Sequence, residues 1–277
     1  MYRNRIIIAV MLFLLFAGWK SKENDNRTEF FPKVALKPTS IPEKQNVWVF
    51  FMAGQSNMAG RGKVEPKDTI PDPRILTINK NGDLILAKEP LHFYEPGMAG
   101  LDCGLSFGKE LLKHIPDNII LLIIPTAVGG SSIYQWINDS NFRNVNLFSN
   151  FRGKVDIGKK FGTIKGILWH QGETDAGTNE TIEKYDSQLR KLFYLFRNET
   201  GNESLPVFVG ELGSYSINNE NWQAINKKIK DYIETDPVAY IIQTSDLNHR
   251  GDGLHFDSEG LRRMGKRFAE KFIETQK

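Results

Sequence analysis

Apolar residues in this chain gather into short unbroken runs, and each run stops abruptly at small or polar residues. The first, Val47-Trp48-Val49-Phe50-Phe51-Met52, is β-branched and aromatic without alternation, the pattern of a strand covered on both faces as in a parallel sheet. It ends in Ala53-Gly54-Gln55-Ser56-Asn57-Met58. Residues 118–124, 164–169, 207–209 and 238–243 repeat the pattern. Between the runs the apolar period lengthens to that of a helix at residues 105–114, closed by Pro116, and at 181–197, with Ile182, Tyr185, Leu189, Leu192, Phe193 and Phe196 on one face. Residues 222–233 and 261–273 read likewise, the last capped by Asp257-Ser258. Strand and helix alternate five times, which predicts an α/β fold: a three-layer α/β/α sandwich around a five-stranded parallel sheet with right-handed crossovers. Residues 60–100 break this rhythm. There Arg74-Ile75-Leu76-Thr77-Ile78 and Asp83-Leu84-Ile85-Leu86 flank Asn79-Lys80-Asn81-Gly82, a β-hairpin signal, predicted as an insertion near the site and outside the main sheet.

The ends of the chain read differently from its middle. Arg3 and Arg5 precede an apolar run at residues 6–18, too short for the ~20 residues of a membrane span, so residues 1–20 are expected to be a signal peptide. The expected location is therefore outside the cytoplasm: periplasmic, at the cell surface or secreted. Residues 21–45 mix Lys, Glu, Asn and Pro with little periodicity and read as a flexible linker. Residues 46–277 are long enough for one domain with a large core, at 40% hydrophobic content overall. Removing the leader takes Lys+Arg from 36 to 33, equal to the 33 Asp+Glu. A balanced mature chain gives no reason to expect nucleic acid or an anionic membrane as partner. Cys103 is the only cysteine, so no internal disulfide forms, and a large exported domain without bridges fits a bacterial protein held by its core.

The chemistry-bearing residues sit where runs end. In an open α/β sheet ligands bind beyond the carboxyl ends of the strands, which is where Ser56 arrives. Taken alone, the stretch reads more readily as a β-to-α loop in which Ser56 or Asn57 caps the next helix. Near the other terminus, Gly251-Asp252-Gly253-Leu254-His255 can fold into a tight turn. There Asp252 holds one imidazole nitrogen of His255 and the other takes a proton from a serine, which is too weak a nucleophile without such a base. His170, Glu173 and Asp175 are residue types that bind zinc, but no second histidine lies nearby, and neither a metal nor a cofactor is expected. Instead Glu173 is expected to brace the site by hydrogen bonds to loop backbone, with His170 packed beneath it. His92 and His114 read as ordinary surface or partly buried histidines. Trp48, Trp169 and Phe256 read as core, whereas Tyr134 and Trp136 divide evenly between core and cleft.

Four segments taken in order carry more than any one of them. Gly54-Gln55-Ser56-Asn57-Met58, Gly129-Gly130-Ser131-Ser132 with Trp136, Trp169-His170-Gln171-Gly172-Glu173, and Asp252-Gly253-Leu254-His255 resemble the sequence blocks of SGNH hydrolases. More narrowly they resemble the sialate O-acetylesterase-like group, which includes carbohydrate esterase family 6 acetyl xylan esterases. The resemblance spans about residues 46–275. It implies Ser56 as nucleophile, His255 as general base and acid, and Asp252 as the orienting carboxylate. It further implies an oxyanion hole made by the Ser56 N–H, an N–H of Gly129 or Gly130 with Gly130 favoured, and the side-chain amide of Gln171, where the wider superfamily uses asparagine. Gln55, Asn57, Gly129 and Glu173 become supporting residues. The implied function is an exported, metal-independent serine esterase that removes O-acetyl groups from oligo- or polysaccharides of the xylan or sialic acid type. Two rivals remain at this level: a carbohydrate-binding surface protein that keeps the fold without the chemistry, and an esterase of lipid or thioester acyl chains.

Overall fold

A computed structural model describes residues 26–277, so the expected leader and the first part of the expected linker lie outside the described residues. The architecture follows from one strand, β1 (Val47–Gly54), whose successive side chains enter opposite cores. Val47, Val49, Phe51 and Ala53 face one, Phe50 and Met52 the other, which is why this run is apolar without alternation. After it come helix α1 (Ser56–Ala59), strands β2 (Ile75–Ile78) and β3 (Leu84–Leu86), α2 (Gly104–Leu111), β4 (Ile120–Pro125), α3 (Ile133–Ile137) and the two-residue strands β5 (Asn141–Phe142) and β6 (Val145–Asn146). The chain continues with α4 (Leu147–Phe161), β7 (Thr163–His170), α5 (Asn179–Thr200), β8 (Val207–Gly210), α6 (Asn219–Ile233), β9 (Ala239–Ile242) and α7 (Ser258–Glu274).

The main sheet has seven strands in the order β3-β2-β4-β1-β7-β8-β9, parallel except where β3 turns back along β2. The α/β/α sandwich is as expected, but the strand count is not. The predicted hairpin does not stand apart: Ile75 lies opposite Leu121 and Leu76 opposite Leu122, so β2 extends the sheet through β4. All four β2 residues are buried, and joining the sheet is what covers both faces of so apolar a strand. On one face α2 and α7 pack Phe107, Leu261, Met264, Phe268 and Phe272 against Phe50 and Met52. On the other, α3 to α6 bring Trp136, Phe151, Phe193, Phe196 and Ile225 against Val49 and Phe51.

Two stretches depart from the sequence pattern. Helix α4 had no counterpart in it, because its buried stripe of Leu147, Phe148, Phe151 and Val155 ends in Gly158 rather than in another apolar side chain; Gly158 is there for contact, since a Cβ at that position would lie 2.9 Å from Phe51 Cζ. Part of the expected linker is docked rather than solvated. Leu86 N–H donates to Leu36 O at 2.8 Å along the outer edge of β3, Lys88 Nζ reaches Val34 O at 2.9 Å, and Phe30 and Phe31 pack against the core. Those few apolar residues among polar ones suffice to dock it. Among the described residues no helix is long and apolar enough to cross a membrane.

Candidate active site

The carboxyl ends of β1, β4 and β7 meet at one rim of the sheet. Gly54 closes β1 with φ 137°, and a Cβ there would sit 2.1 Å from His170 O, so only glycine lets β1 and β7 run this close. Gln55 N–H then donates to His170 O at 3.0 Å, and the chain turns to present Ser56 at the start of α1. The turn before α7 comes to meet it. Ser56 Oγ lies 3.0 Å from His255 Nε2, and His255 Nδ1 lies 2.8 Å from Asp252 Oδ2.

Positive φ values at Gly251 and Gly253 make that turn tight. Both glycine N–H groups donate to His249 Nδ1 at 3.1 Å, while Asp252 Oδ1 accepts the N–H groups of Leu254 at 3.0 Å and His255 at 2.8 Å. Arg250 Nε sits 3.1 Å from Asp252 Oδ2. Partial burial alone would raise the Asp252 pKa; the N–H donors and the imidazole outweigh it and hold the carboxyl below the usual aspartate range. Asp252 is thus an ionised acceptor at neutral pH, which fixes the Nδ1–H tautomer of His255 and leaves Nε2 with a lone pair toward the serine.

Asn57 binds the two turns together. Phe256 N–H donates to its Oδ1 at 3.0 Å, and its Nδ2 donates to Leu254 O at 3.2 Å and to Glu173 Oε1 at 2.5 Å. Glu173 therefore braces the site through the Asn57 side chain, not through loop backbone as expected, because the carboxylate lies beneath the side chain that α1 turns inward. His170 is fully buried below it, with Nδ1 3.6 Å from Glu173 Oε1 and Nε2 2.9 Å from Glu211 O. Burial lowers the His170 pKa despite that carboxylate.

Gln171 does not occupy its expected place. Its side chain is wholly buried, and Nε2 faces three acceptors: Gln55 Oε1 at 3.0 Å, Ser131 O at 3.1 Å and Asp175 Oδ2 at 2.5 Å. Two N–H hydrogens are fully consumed by these, so this amide has none left for an oxyanion. It ties the first, second and third sequence blocks together instead, with Tyr185 Oη donating to Gln171 Oε1 at 2.9 Å.

The loop after β4 separates the two candidate glycines. Ala127 N–H donates to His92 Nε2 at 3.3 Å, Val128 N–H to Gly54 O at 3.1 Å and Gly129 N–H to Glu95 Oε2 at 2.6 Å. Gly130 N–H has no partner among the described residues, and Gly130 is partly exposed at φ 82°. Trp136 is buried with Nε1 donating to Ser131 Oγ at 2.9 Å and belongs to the core, whereas Tyr134 is 61% exposed on the outer face of α3. Trp169 and Phe256 are buried, and Trp48 packs edge-on against Phe272.

Sequence reasoning missed the groups that hold this loop and took one of them, His92, for an ordinary surface or partly buried histidine. His92 is buried against Asp102, Nδ1 to Oδ2 2.8 Å, while His114 is a surface residue beside Glu110. Glu95 is buried and paired with both Arg61 and Arg143. All but Arg143 lie between residues 60 and 103 but outside the hairpin, where no periodicity or motif marks them. Among the described residues no group of three or more His, Cys, Asp or Glu side chains is arranged to hold a metal ion.

This architecture has relatives. Residues 46–274 match the family described as carbohydrate esterase, sialic acid-specific acetylesterase. The chain belongs to that family. It is accordingly a carboxylic ester hydrolase of the carbohydrate esterase class. A probable carbohydrate esterase of Arabidopsis thaliana, At4g34215, is 26% identical over 256 residues, 85% of this chain and 92% of that one. Its X-ray structure superposes with a TM-score of 0.74 at 22% identity, covering 83% of this chain and 98% of that chain. The crystal structure of NanS superposes with a TM-score of 0.68 at 18% identity, covering 85% and 99%. At these identities the superpositions speak for the fold: a carbohydrate esterase sandwich whose seven-stranded sheet ends at the rim just described.

Proposed function

We propose that the protein is an exported serine esterase that removes O-acetyl groups from carbohydrate through an acetyl-enzyme intermediate. The observation that carries this reading is the continuous line from Ser56 Oγ through His255 Nε2 and Nδ1 to Asp252 Oδ2, at 3.0 and 2.8 Å. In the first half-reaction Ser56 Oγ attacks the acetyl carbonyl carbon while its proton passes to His255 Nε2. The carbonyl oxygen becomes an oxyanion, met by the Ser56 and Gly130 N–H groups. Collapse breaks the ester bond, and His255 returns the proton to the departing sugar oxygen. Water then repeats the sequence on the acetyl-enzyme and releases acetate. An ionised Asp252 lowers the cost of the imidazolium formed in between.

The substrate reading, an acetylated oligo- or polysaccharide of the xylan or sialic acid type, is supported by the family. The apolar run at residues 6–18 supports export. Replacing Ser56 by Ala is expected to abolish hydrolysis of p-nitrophenyl acetate with the circular-dichroism spectrum and Tm unchanged. Turnover at the wild-type rate in that variant would reject the reading. Acetate release from a panel of acetylated polysaccharides and sialosides then identifies the glycan.

A further inference from the structure

The loop that carries Gly130 is held by groups outside the four sequence blocks. Glu95 is central among them: Oε2 accepts the Gly129 N–H at 2.6 Å and Arg61 Nη2 at 2.9 Å, and Oε1 accepts Arg143 Nη1 at 2.5 Å. We propose that Glu95 is a positioning residue for the oxyanion site, fixing the peptide between Val128 and Gly129 at the entry of the turn that Ser131 N–H closes on Val128 O at 3.3 Å, so that the Gly130 N–H inside that turn remains the one free donor of this loop. The inference rests on the serine esterase reading above and assigns a function to a residue which that reading leaves unused.

Three features of the site support it. First, the donors on either side are all consumed: Ala127, Val128 and Gly129 before it and Ser131 and Ser132 after it each have an acceptor, and Gly130 has none. The Gly129–Gly130 peptide is thus held between two fixed points, the Gly129 N–H on Glu95 and the Ser131 N–H on Val128 O, and these set the direction of the Gly130 N–H between them. Second, Gly129 is glycine for the sake of the clamp. Its φ is not in the left-handed region, yet a Cβ there would lie 2.0 Å from Arg61 Nη2 and 2.7 Å from Glu95 Oε2. Third, the charges suit an oxyanion neighbour. One carboxylate is shared by two guanidinium groups, so the cluster carries one net positive charge. Arg61 is anchored by its own Nη1 on Gly60 O at 2.8 Å, and Arg250, which also contacts Asp252, donates to Arg61 O at 2.8 Å. The clamp is thereby joined to the turn that holds His255.

The test uses Glu95→Gln, which keeps the shape and one acceptor oxygen but cannot accept from Gly129 and both arginines together, and Gly129→Ala, which disrupts the clamp with Glu95 intact. For each, kcat and KM for p-nitrophenyl acetate are measured beside the inhibition constant of a methyl trifluoromethyl ketone. That ketone adds Ser56 Oγ to its carbonyl carbon, passes the proton to His255 and leaves an oxyanion in the hole. Loss of one oxyanion donor typically costs ~10²–10³ in rate. Both variants are expected to lose at least tenfold in kcat with KM within about twofold, and the ketone to weaken by the same factor. A merely structural defect lowers Tm and active fraction but leaves the ketone's affinity for the surviving sites alone. If the cluster acted through its charge only, Glu95→Gln, which makes it more positive, would raise kcat. An unchanged or raised kcat, or a fall in kcat that ketone affinity does not follow, overturns the proposal. Hydrogen exchange reads the clamp without turnover: the Gly129 amide is expected to exchange slowly in the wild type and faster in Glu95→Gln, and equal protection in the two also overturns it. Wild type and Ser56→Ala hydrolysing the ester alike would instead be the failure of the serine esterase reading.

Discussion

At the scale of single residues, the site is set by how many partners each buried polar group has. Ser56, Asp252 and His255 were legible because their chemistry leaves local marks: a small-residue turn after an apolar run, and an aspartate three residues before a histidine. Gln171 and Asp175 show the limit. How many acceptors crowd an amide is decided by three segments meeting in space, and no spacing in the chain records it. Asp175 is itself informative. It is 1% exposed, and burial, with the nearby Glu173 charge, raises its pKa although Gln171 Nε2 and Ile133 N–H both donate to it. The folded carboxyl therefore keeps its proton to higher pH than the unfolded one. Its contribution to stability is complete below the unfolded value of ~3.9 and is lost as pH rises through the raised folded value. Asp175→Asn keeps an acceptor for both donors and removes that titration. Its Tm relative to the wild type is expected to improve as pH rises above the unfolded value; a difference independent of pH would contradict the assignment.

At the scale of elements, the central strands were legible and the long helix α4 was not, and the cause is the same in both cases. A buried parallel strand needs apolar side chains on both faces, so β1, β4 and β7 announce themselves, and each delivers its site residues at the carboxyl end. Helix α4 instead packs by approach: its glycine at 158 brings the helix backbone against β1, leaving a broken stripe in the sequence. Adding one methyl group at that contact is therefore costly. Gly158→Ala would place a Cβ 2.9 Å from Phe51 Cζ and 3.1 Å from Val49 Cγ1, both on β1, the strand that leads to Ser56. Helix propensity favours alanine by up to ~1 kcal/mol, whereas overpacking a tight core costs ~1–3 kcal/mol. The net expectation is a modest loss of stability by urea denaturation, with a fall in kcat if β1 shifts along its axis. A variant more stable than the wild type would show that the contact relaxes freely.

For the whole molecule, the question is what closes the sheet. Strand β9 ends one side and β3 the other, and an open edge is a template for pairing with another chain. At β3 the protein uses its own N-terminal segment. Leu36 O accepts from Leu86 N–H, Val34 O from Lys88 Nζ, and Gly97 O from Arg27 Nη2, while Phe30 and Phe31 seat the segment on the core. Pro and Lys around these few apolar residues made the segment look like a tether. Its anchors are backbone carbonyls, which composition does not reveal. A chain starting at residue 46 keeps every group of the Ser56 rim and the whole of the family match but loses this cover. It is expected to fold with a Tm lower by several degrees, as a loss of about 1–3 kcal/mol would produce in a domain of this size, and to self-associate as its concentration rises, measured by sedimentation velocity. Because the segment touches neither Ser56 nor His255, kcat per folded monomer should remain that of the full chain. A truncated protein as stable and as monomeric as the full one would mean that the segment only rests on the edge, and that β3 is protected by its shortness alone.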